Sequence, residues 1–204
     1  MPYHLLIQPY DAGFDFLEEV GVNSMQLYNL ISSFEVLPRR NLPENVLTNK
    51  KDEVGRYFVE KIISPFLNKE LVKKVREPYD CGENIVFEND LWYEIMRQWH
   101  YNPREVFLAV LPYFIFNLGG SPHGAASDCN MTMVSTYRIR KNQRWKAVGV
   151  CLHEVGHVLE LDHCKTEDCV MHVPIRKKGS GRKYTICGEH EQVVFLKLSV
   201  EKKS

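Results

Sequence analysis

The sequence has no surplus charge of either sign: its 26 Lys and Arg residues balance its 26 Asp and Glu residues. Global charge therefore supplies no attraction to nucleic acid or to an anionic membrane surface. Long hydrophobic runs are also missing. The longest, from Val106 to Phe116, is broken by Pro112 and falls far short of the roughly 20 residues that span a bilayer. The opening Met1-Pro2-Tyr3-His4-Leu5-Leu6-Ile7-Gln8-Pro9-Tyr10 lacks the basic stretch and extended apolar core of a secretory signal, so a cytoplasmic protein is expected. Six cysteines among 204 residues, without such a signal, do not form a disulfide framework. Repeats, low-complexity tracts and linkers are absent. The glycine-rich segment from Asn117 to Ser127 is followed by no Gly-Lys-Ser or Gly-Lys-Thr, which excludes a phosphate loop.

At 44% hydrophobic and 25% charged, the chain has the composition of a globular protein with a core, and its length fits one domain. His4 to Tyr10 reads as a buried strand. A weak helical pattern over Phe14 to Val20 stops at Gly21, and a stronger one starts at Asn23 or Ser24 and runs through Met25, Tyr28 and Ile31. Phe34 to Leu37 is a short strand closed by Pro38, and Asn41 to Lys51 is a loop. Asp52 caps a helix that ends at Pro65, with a further turn or two over Asn68 to Val75. Glu77 to Glu83 is a loop and Asp90 to Trp99 a helix. Glu105 to Leu111, apolar from Val106 onward, reads as a central strand, with extended pieces at Tyr113 to Phe116 and Met131 to Tyr137. A long helix covers roughly Gln143 to Glu160. Strands alternating with helices imply a twisted α/β sheet.

The chemistry concentrates between His153 and His190. His153-Glu154-Val155-Gly156-His157 places two imidazoles four residues apart, on one side of a helix, where both reach a single zinc. Glu154 lies at the edge of that face. It is badly placed to be a ligand and well placed to take a proton from a water in the open coordination position. A chance match to this pattern occurs in roughly half a percent of chains of this length, so a helix with two surface histidines is the weaker reading. His163 lies six residues after His157. On a continued helix it would sit about 240° round the axis and about 9 Å further on, facing away from the metal. To join the site, the chain must leave the helix and turn back, which usually requires a residue at positive φ. Three of the six cysteines, Cys164, Cys169 and Cys187, crowd into the same segment and read as metal ligands. Cys81, Cys129 and Cys151 have no such company, and Cys151 reads as a small core residue.

His153-Glu154-x-x-His157-x-x-x-x-x-His163 has the ligand spacing of the metzincin metallopeptidases. With Cys164, Cys169-Val170-Met171 and Cys187 followed three residues later by His190, the stretch resembles the archaemetzincin branch, whose pattern is H-E-x-x-H-x-x-G-x-x-H-C-x4-C-x-M followed by C-x-x-C. The resemblance covers about a fifth of the chain. It implies a metzincin-like twisted mixed α/β sheet with an active-site helix and a zinc-stabilised C-terminal subdomain. It also implies a catalytic zinc on His153, His157 and His163, with Glu154 as general base and Met171 as the apolar Met-turn beneath the histidines. A second, structural zinc would sit on Cys164, Cys169 and Cys187. Two positions depart from the family. Glu160 stands where the family has glycine. Either it adopts positive φ at roughly 1–2 kcal/mol, or the turn is built differently, or Glu160 itself approaches the metal. His163 ranks above it as third ligand, because Cys164 beside it anchors the returning chain. His190 replaces the family's fourth cysteine and is expected to be the fourth structural ligand, since zinc accepts three thiolates and one imidazole as readily as four thiolates. The exchange changes the nominal site charge from about −2 to about −1.

The remaining features are weaker. Arg176 to Lys183 is a basic, glycine-containing run that reads as a solvated loop, and no aromatic residues interleave it as nucleic-acid binding would require. His123 and Asp128 sit in the glycine-rich segment before the last strand candidate, where metzincin-like folds pair an edge strand with substrate backbone; that mode needs backbone groups rather than side chains, so His123 reads as incidental rather than catalytic. Trp145, Val148, Leu152 and Val155 read as the buried face of the active-site helix. Gly156 within that helix costs about 1 kcal/mol relative to alanine, which a close packing contact would explain. The expectation is a single domain, about 1–160 forming an upper α/β part and about 161–204 a C-terminal part with the Met-turn and structural zinc. It is a monomeric metallopeptidase with two zinc ions, in which a zinc-bound water activated by Glu154 attacks a peptide or protein substrate. No nucleic-acid or membrane partner is expected. The alternative is a catalytically silent zinc-stabilised binding module.

Overall fold

A computed structural model of the chain describes residues 2–44, 46–48, 85–116, 124–127, 129–137, 139–173, 175 and 184–201. The helices expected over 52–65 and 68–75, the loop over 77–83, His123, Asp128 and the basic run 176–183 lie outside the described residues. The elements follow in the order β1 (Tyr3–Pro9), α1 (Leu17–Tyr28), β2 (Ile31–Val36), β3 (Leu47–Thr48), β4 (Ile85–Phe87), α2 (Glu88–Gln98), β5 (Glu105–Leu111), β6 (Phe114–Phe116), β7 (Gly124–Ser127), β8 (Met131–Ser135), α3 (Arg144–Val158) and α4 (Gly188–Glu201). Five strands form a sheet in the order β2-β1-β5-β8-β7. β2, β1, β5 and β8 are parallel and β7 runs antiparallel to β8 at one edge. A smaller sheet has the order β3-β4-β6.

β5 shows why the sequence of a central strand is continuously apolar. Val106, Leu108 and Val110 face a cluster built with Leu17, Val20 and Tyr28 of α1 and Val148, Leu152 and Val155 of α3. Phe107, Ala109 and Leu111 face the opposite way, into a cluster with Leu91 and Ile95 of α2. With helices on both faces, neither set of alternating side chains meets water, so neither is polar. Arg144, at the start of α3, bridges Asp15 at 3.1 Å and Glu19 at 2.8 Å and ties that end of the helix to α1. Among the described residues no helix is long and apolar enough to cross a membrane.

Several expected boundaries are corrected. One helix, Leu17–Tyr28, replaces the two segments expected around Gly21, and it starts after Phe16 rather than at Asn23 or Ser24. Gly21 does not break it; the Phe34 ring of β2 occupies the space a Cβ would need, so the glycine marks close helix–strand packing. Asn23 instead bonds back to the Glu19 carbonyl at 2.7 Å. Asn29, left-handed at φ 48°, ends the helix, and Ile31 begins β2 instead of closing α1. Trp145 is half-buried and lies outside the core, whereas Val148, Leu152 and Val155 are fully buried. β7 falls within the glycine-rich segment, and α4 had no counterpart among the expected elements.

Candidate metal centres

α3 carries the first centre on its last turns. His153 and His157 face one side, as the four-residue spacing requires, and their Nε2 atoms lie 3.0 Å apart. His163 brings its Nε2 within 3.1 Å of both. Three nitrogens at these separations share a point about 2.0–2.1 Å from each, the Zn–N bond length. The other ring nitrogens of the helix pair are committed elsewhere. His153 Nδ1 donates to the Val170 carbonyl at 2.9 Å and His157 Nδ1 to the Leu161 carbonyl at 2.8 Å. A proton held at Nδ1 leaves the Nε2 lone pair free for a metal, with the ring fixed in orientation. Burial lowers the His153 imidazole to about 4 and lowers His157 as well, which favours the neutral rings that a metal would need.

The chain reaches His163 through the turn that the helix pattern demanded. Glu160 has φ 62°. Its N–H donates to the His157 carbonyl at 2.9 Å, and the Leu161 N–H reaches back to the Gly156 carbonyl at 3.0 Å. These two bonds define a Schellman motif with Glu160 in the left-handed position. Its carboxylate turns outward to Lys197 Nζ of α4, at 2.6 Å, and stays away from the three imidazoles. Leu161, buried, then carries the chain back towards the core.

Glu154 is 7% exposed. Among the described residues its carboxylate has no hydrogen-bond or ion-pair partner, and burial raises it to about 8. A dication on the neighbouring imidazoles would draw it down again. A buried carboxylate without such partners, beside three convergent imidazoles, is suited to exchange protons with a small molecule. Gly124 of the edge strand β7 lies directly against it. Met171 is fully buried, and its Sδ occupies the space where a Cβ on Gly156 would sit, with Tyr28 Oη 2.9 Å from the same point. The close contact expected of Gly156 is therefore with Met171.

The second centre gathers Cys164, Cys169, Cys187 and His190, whose donor atoms all lie within 4.8 Å of one another. His190 is buried, and its Nδ1 lies 3.3 Å from Cys169 Sγ and 3.5 Å from Cys187 Sγ. A tetrahedron with Zn–S bonds near 2.3 Å has edges of about 3.8 Å, so three thiolates and one imidazole fit a zinc ion. Cys187 sits just before α4. Burial raises its thiol, but backbone N–H groups of His190 and Glu189 and the neighbouring cysteines outweigh that and lower it, as expected at a helix N-terminus. Burial pushes Cys169 up to about 12, so a metal would have to displace its proton.

The two centres share backbone. His163 and Cys164 are adjacent. The Cys164 N–H donates to the Met171 carbonyl at 3.2 Å, and Val170, between Cys169 and Met171, supplies the carbonyl that orients His153. The structure thus brings together His153, His157 and His163 in one group and Cys164, Cys169, Cys187 and His190 in the other. The carbonyls of Val170 and Leu161, the Glu160–Lys197 pair and Gly124 escaped the sequence reading. Carbonyl contacts carry no side-chain signature, and only the glycine at 124 offered a residue-level signal.

A mixed, mostly parallel α/β sheet with a histidine-bearing helix beneath it and a Cys/His cluster beyond defines the class of fold. No protein-family model matches the sequence, and no curated protein matches it. Solved structures do. The chain is similar to an archaemetzincin from Methanopyrus kandleri, with a TM-score of 0.61 and 14% identity over 97% of this chain and 96% of that one. It is similar to an archaemetzincin from Archaeoglobus fulgidus complexed with malonate, with a TM-score of 0.57 and 18% identity over 93% and 99%. A zinc-dependent peptidase from Methanocorpusculum labreanum gives a TM-score of 0.55 and 15% identity over the same shares. The chain has the archaemetzincin fold.

Proposed function

We propose that the chain is a zinc-dependent metallopeptidase, with one zinc on His153, His157 and His163 and a second, structural zinc on Cys164, Cys169, Cys187 and His190. The observation that carries the reading is the convergence of three Nε2 atoms at 3.0–3.1 Å beside a buried carboxylate that nothing else among the described residues engages. The names of the fold neighbours, two archaemetzincins and a zinc-dependent peptidase, support it.

When bound at three imidazoles, zinc polarises a peptide carbonyl and acidifies water at neutral pH. The chain's own groups supply the rest. Val170 and Leu161 hold the protons of His153 and His157 on Nδ1, so the rings present lone pairs to a common point. Glu154 accepts the proton of the attacking water and passes it to the leaving nitrogen. The outer edge of β7, the terminal strand of its sheet, offers backbone groups to which an extended peptide adds as a further strand. That mode reads backbone, so a peptide or protein substrate fits it. Glu160 in place of glycine lends no support to a silent module, because the left-handed turn is formed with Glu160 in it.

The test is cleavage of a mixed peptide library by the zinc-loaded chain and by Glu154→Ala, with metal content measured on both. Cleavage by the wild type alone, at equal metal content, supports the peptidase. Equal turnover by both, or none by either, leaves the zinc-stabilised binding module.

A further inference from the structure

Glu154 has no hydrogen bond or ion pair among the described residues, although only 7% of it is exposed. Among the described residues no polar partner fixes the direction of its carboxylate, and packing is what they offer instead. One wall is the first residue of β7. The three atoms nearest to a Cβ built on Gly124 all lie within colliding distance and all belong to the Glu154 side chain: Oε1, Cδ and Cγ.

The glycine is not needed by its own backbone. Gly124 pairs with Val134 in an antiparallel ladder, and its φ does not lie in the left-handed region. A strand position of this kind ordinarily favours a side chain, since glycine loses more conformational freedom on folding and packs nothing. The bare Cα is therefore accounted for by the space it leaves and by the group that fills it.

We propose that Gly124 is a positioning residue for Glu154: the missing side chain on the edge strand creates the slot in which the proton-accepting carboxylate stands. The catalytic half of this statement rests on the peptidase reading above. Any larger residue at 124 turns the carboxylate out of the slot. Misplacement of a reacting group by about 1 Å costs on the order of 10²-fold in rate.

The test uses zinc-loaded Gly124→Ala, Glu154→Ala and the double variant, with kinetics of the wild type and Gly124→Ala on one cleaved peptide, thermal unfolding of all four proteins, and crystal structures of the wild type and Gly124→Ala. We expect Gly124→Ala to lower kcat by at least about tenfold, with KM changed by less than about twofold and metal content unchanged. Its crystal structure should show the Glu154 carboxylate displaced while β7 stays in register. Alanine at 154 ends at Cβ and removes the three colliding atoms, so Gly124→Ala should lower Tm by at least about 2 °C more in the wild-type background than in the Glu154→Ala background. Equal Tm changes in both backgrounds, or a Glu154 carboxylate in its original place, would overturn the proposal. If the wild type cleaves nothing, the peptidase reading fails, and the carboxylate position in the two crystal structures still decides the steric claim. If Gly124→Ala alone does not fold, folding of the double variant supports the collision and its failure to fold refutes it.

Discussion

Replacing Glu160 isolates the turn that delivers His163. Glu160 holds φ 62°, where an L side chain costs about 1–2 kcal/mol and glycine none. Glycine also loosens the unfolded chain, which removes about 0.4–1 kcal/mol of the gain. Taking mid-range values, glycine should exceed alanine at this site by about 0.8 kcal/mol. The Lys197 pair must be subtracted when the wild type is the reference. Its carboxylate is 78% exposed, so solvent screening keeps the pair near the low end of its class, about 0.3 kcal/mol. The expected order of stability is therefore Glu160→Gly, then wild type, then Glu160→Ala. Steps of about 0.5 and 0.3 kcal/mol separate them, or about 2–3 °C in Tm from end to end for a chain of this size. The assay is thermal unfolding followed by circular dichroism at one fixed zinc concentration, because metal binding itself shifts Tm. Glu160→Ala at or above Glu160→Gly would refute the left-handed turn. Glu160→Gly well below the wild type would mean that the Lys197 pair, and not the backbone, dominates this corner.

Two further outcomes follow from the packing around the centres. Cys169→Ala should reduce bound zinc from two ions to one and lower peptide cleavage by about 10–100-fold, because the Val170 carbonyl that orients His153 loses its anchor; a fully active variant with one zinc would contradict the coupling. Gly156→Ala gains about 1 kcal/mol of helix propensity but forces a methyl into Met171 and Tyr28, an overpacking of about 1–3 kcal/mol. The net loss of about 1 kcal/mol should lower Tm by about 2–4 °C, and a rise in Tm would show that Met171 does not fill that space.

The parts of the molecule legible in the sequence are those fixed by local geometry. His153 and His157 share a face because the helix repeat puts residues four apart in line, and the need for a reversed turn before His163 follows from the same repeat. The core strand β5 was legible because burial on both faces leaves no polar position in its run. Other features depended on distant partners. Gly21 resembles a helix breaker until Phe34 of β2 is found packed over it. β7 lies in Gly124-Ala125-Ala126-Ser127, residues with little strand preference of their own, and it is a strand because β8 pairs with it. α4 runs through Val193-Val194-Phe195-Leu196 without a repeat that separates an apolar from a polar face, and Phe195 and Leu196 remain exposed. At the site, the side chains that converge were readable from their types and spacing. The groups that aim His153 and His157, the carbonyls of Val170 and Leu161, belong to the backbone and emerge only when the chain is folded.

The central claim is that Glu154 moves protons for peptide hydrolysis at the three-histidine centre. The most direct measurement is kcat/KM of zinc-loaded wild type and zinc-loaded Glu154→Ala on the same peptide, with two zinc ions counted in each. A general base contributes about 10²–10⁴-fold, so the variant should fall by that factor with its metal content intact. Equal kcat/KM for the two proteins would contradict the claim.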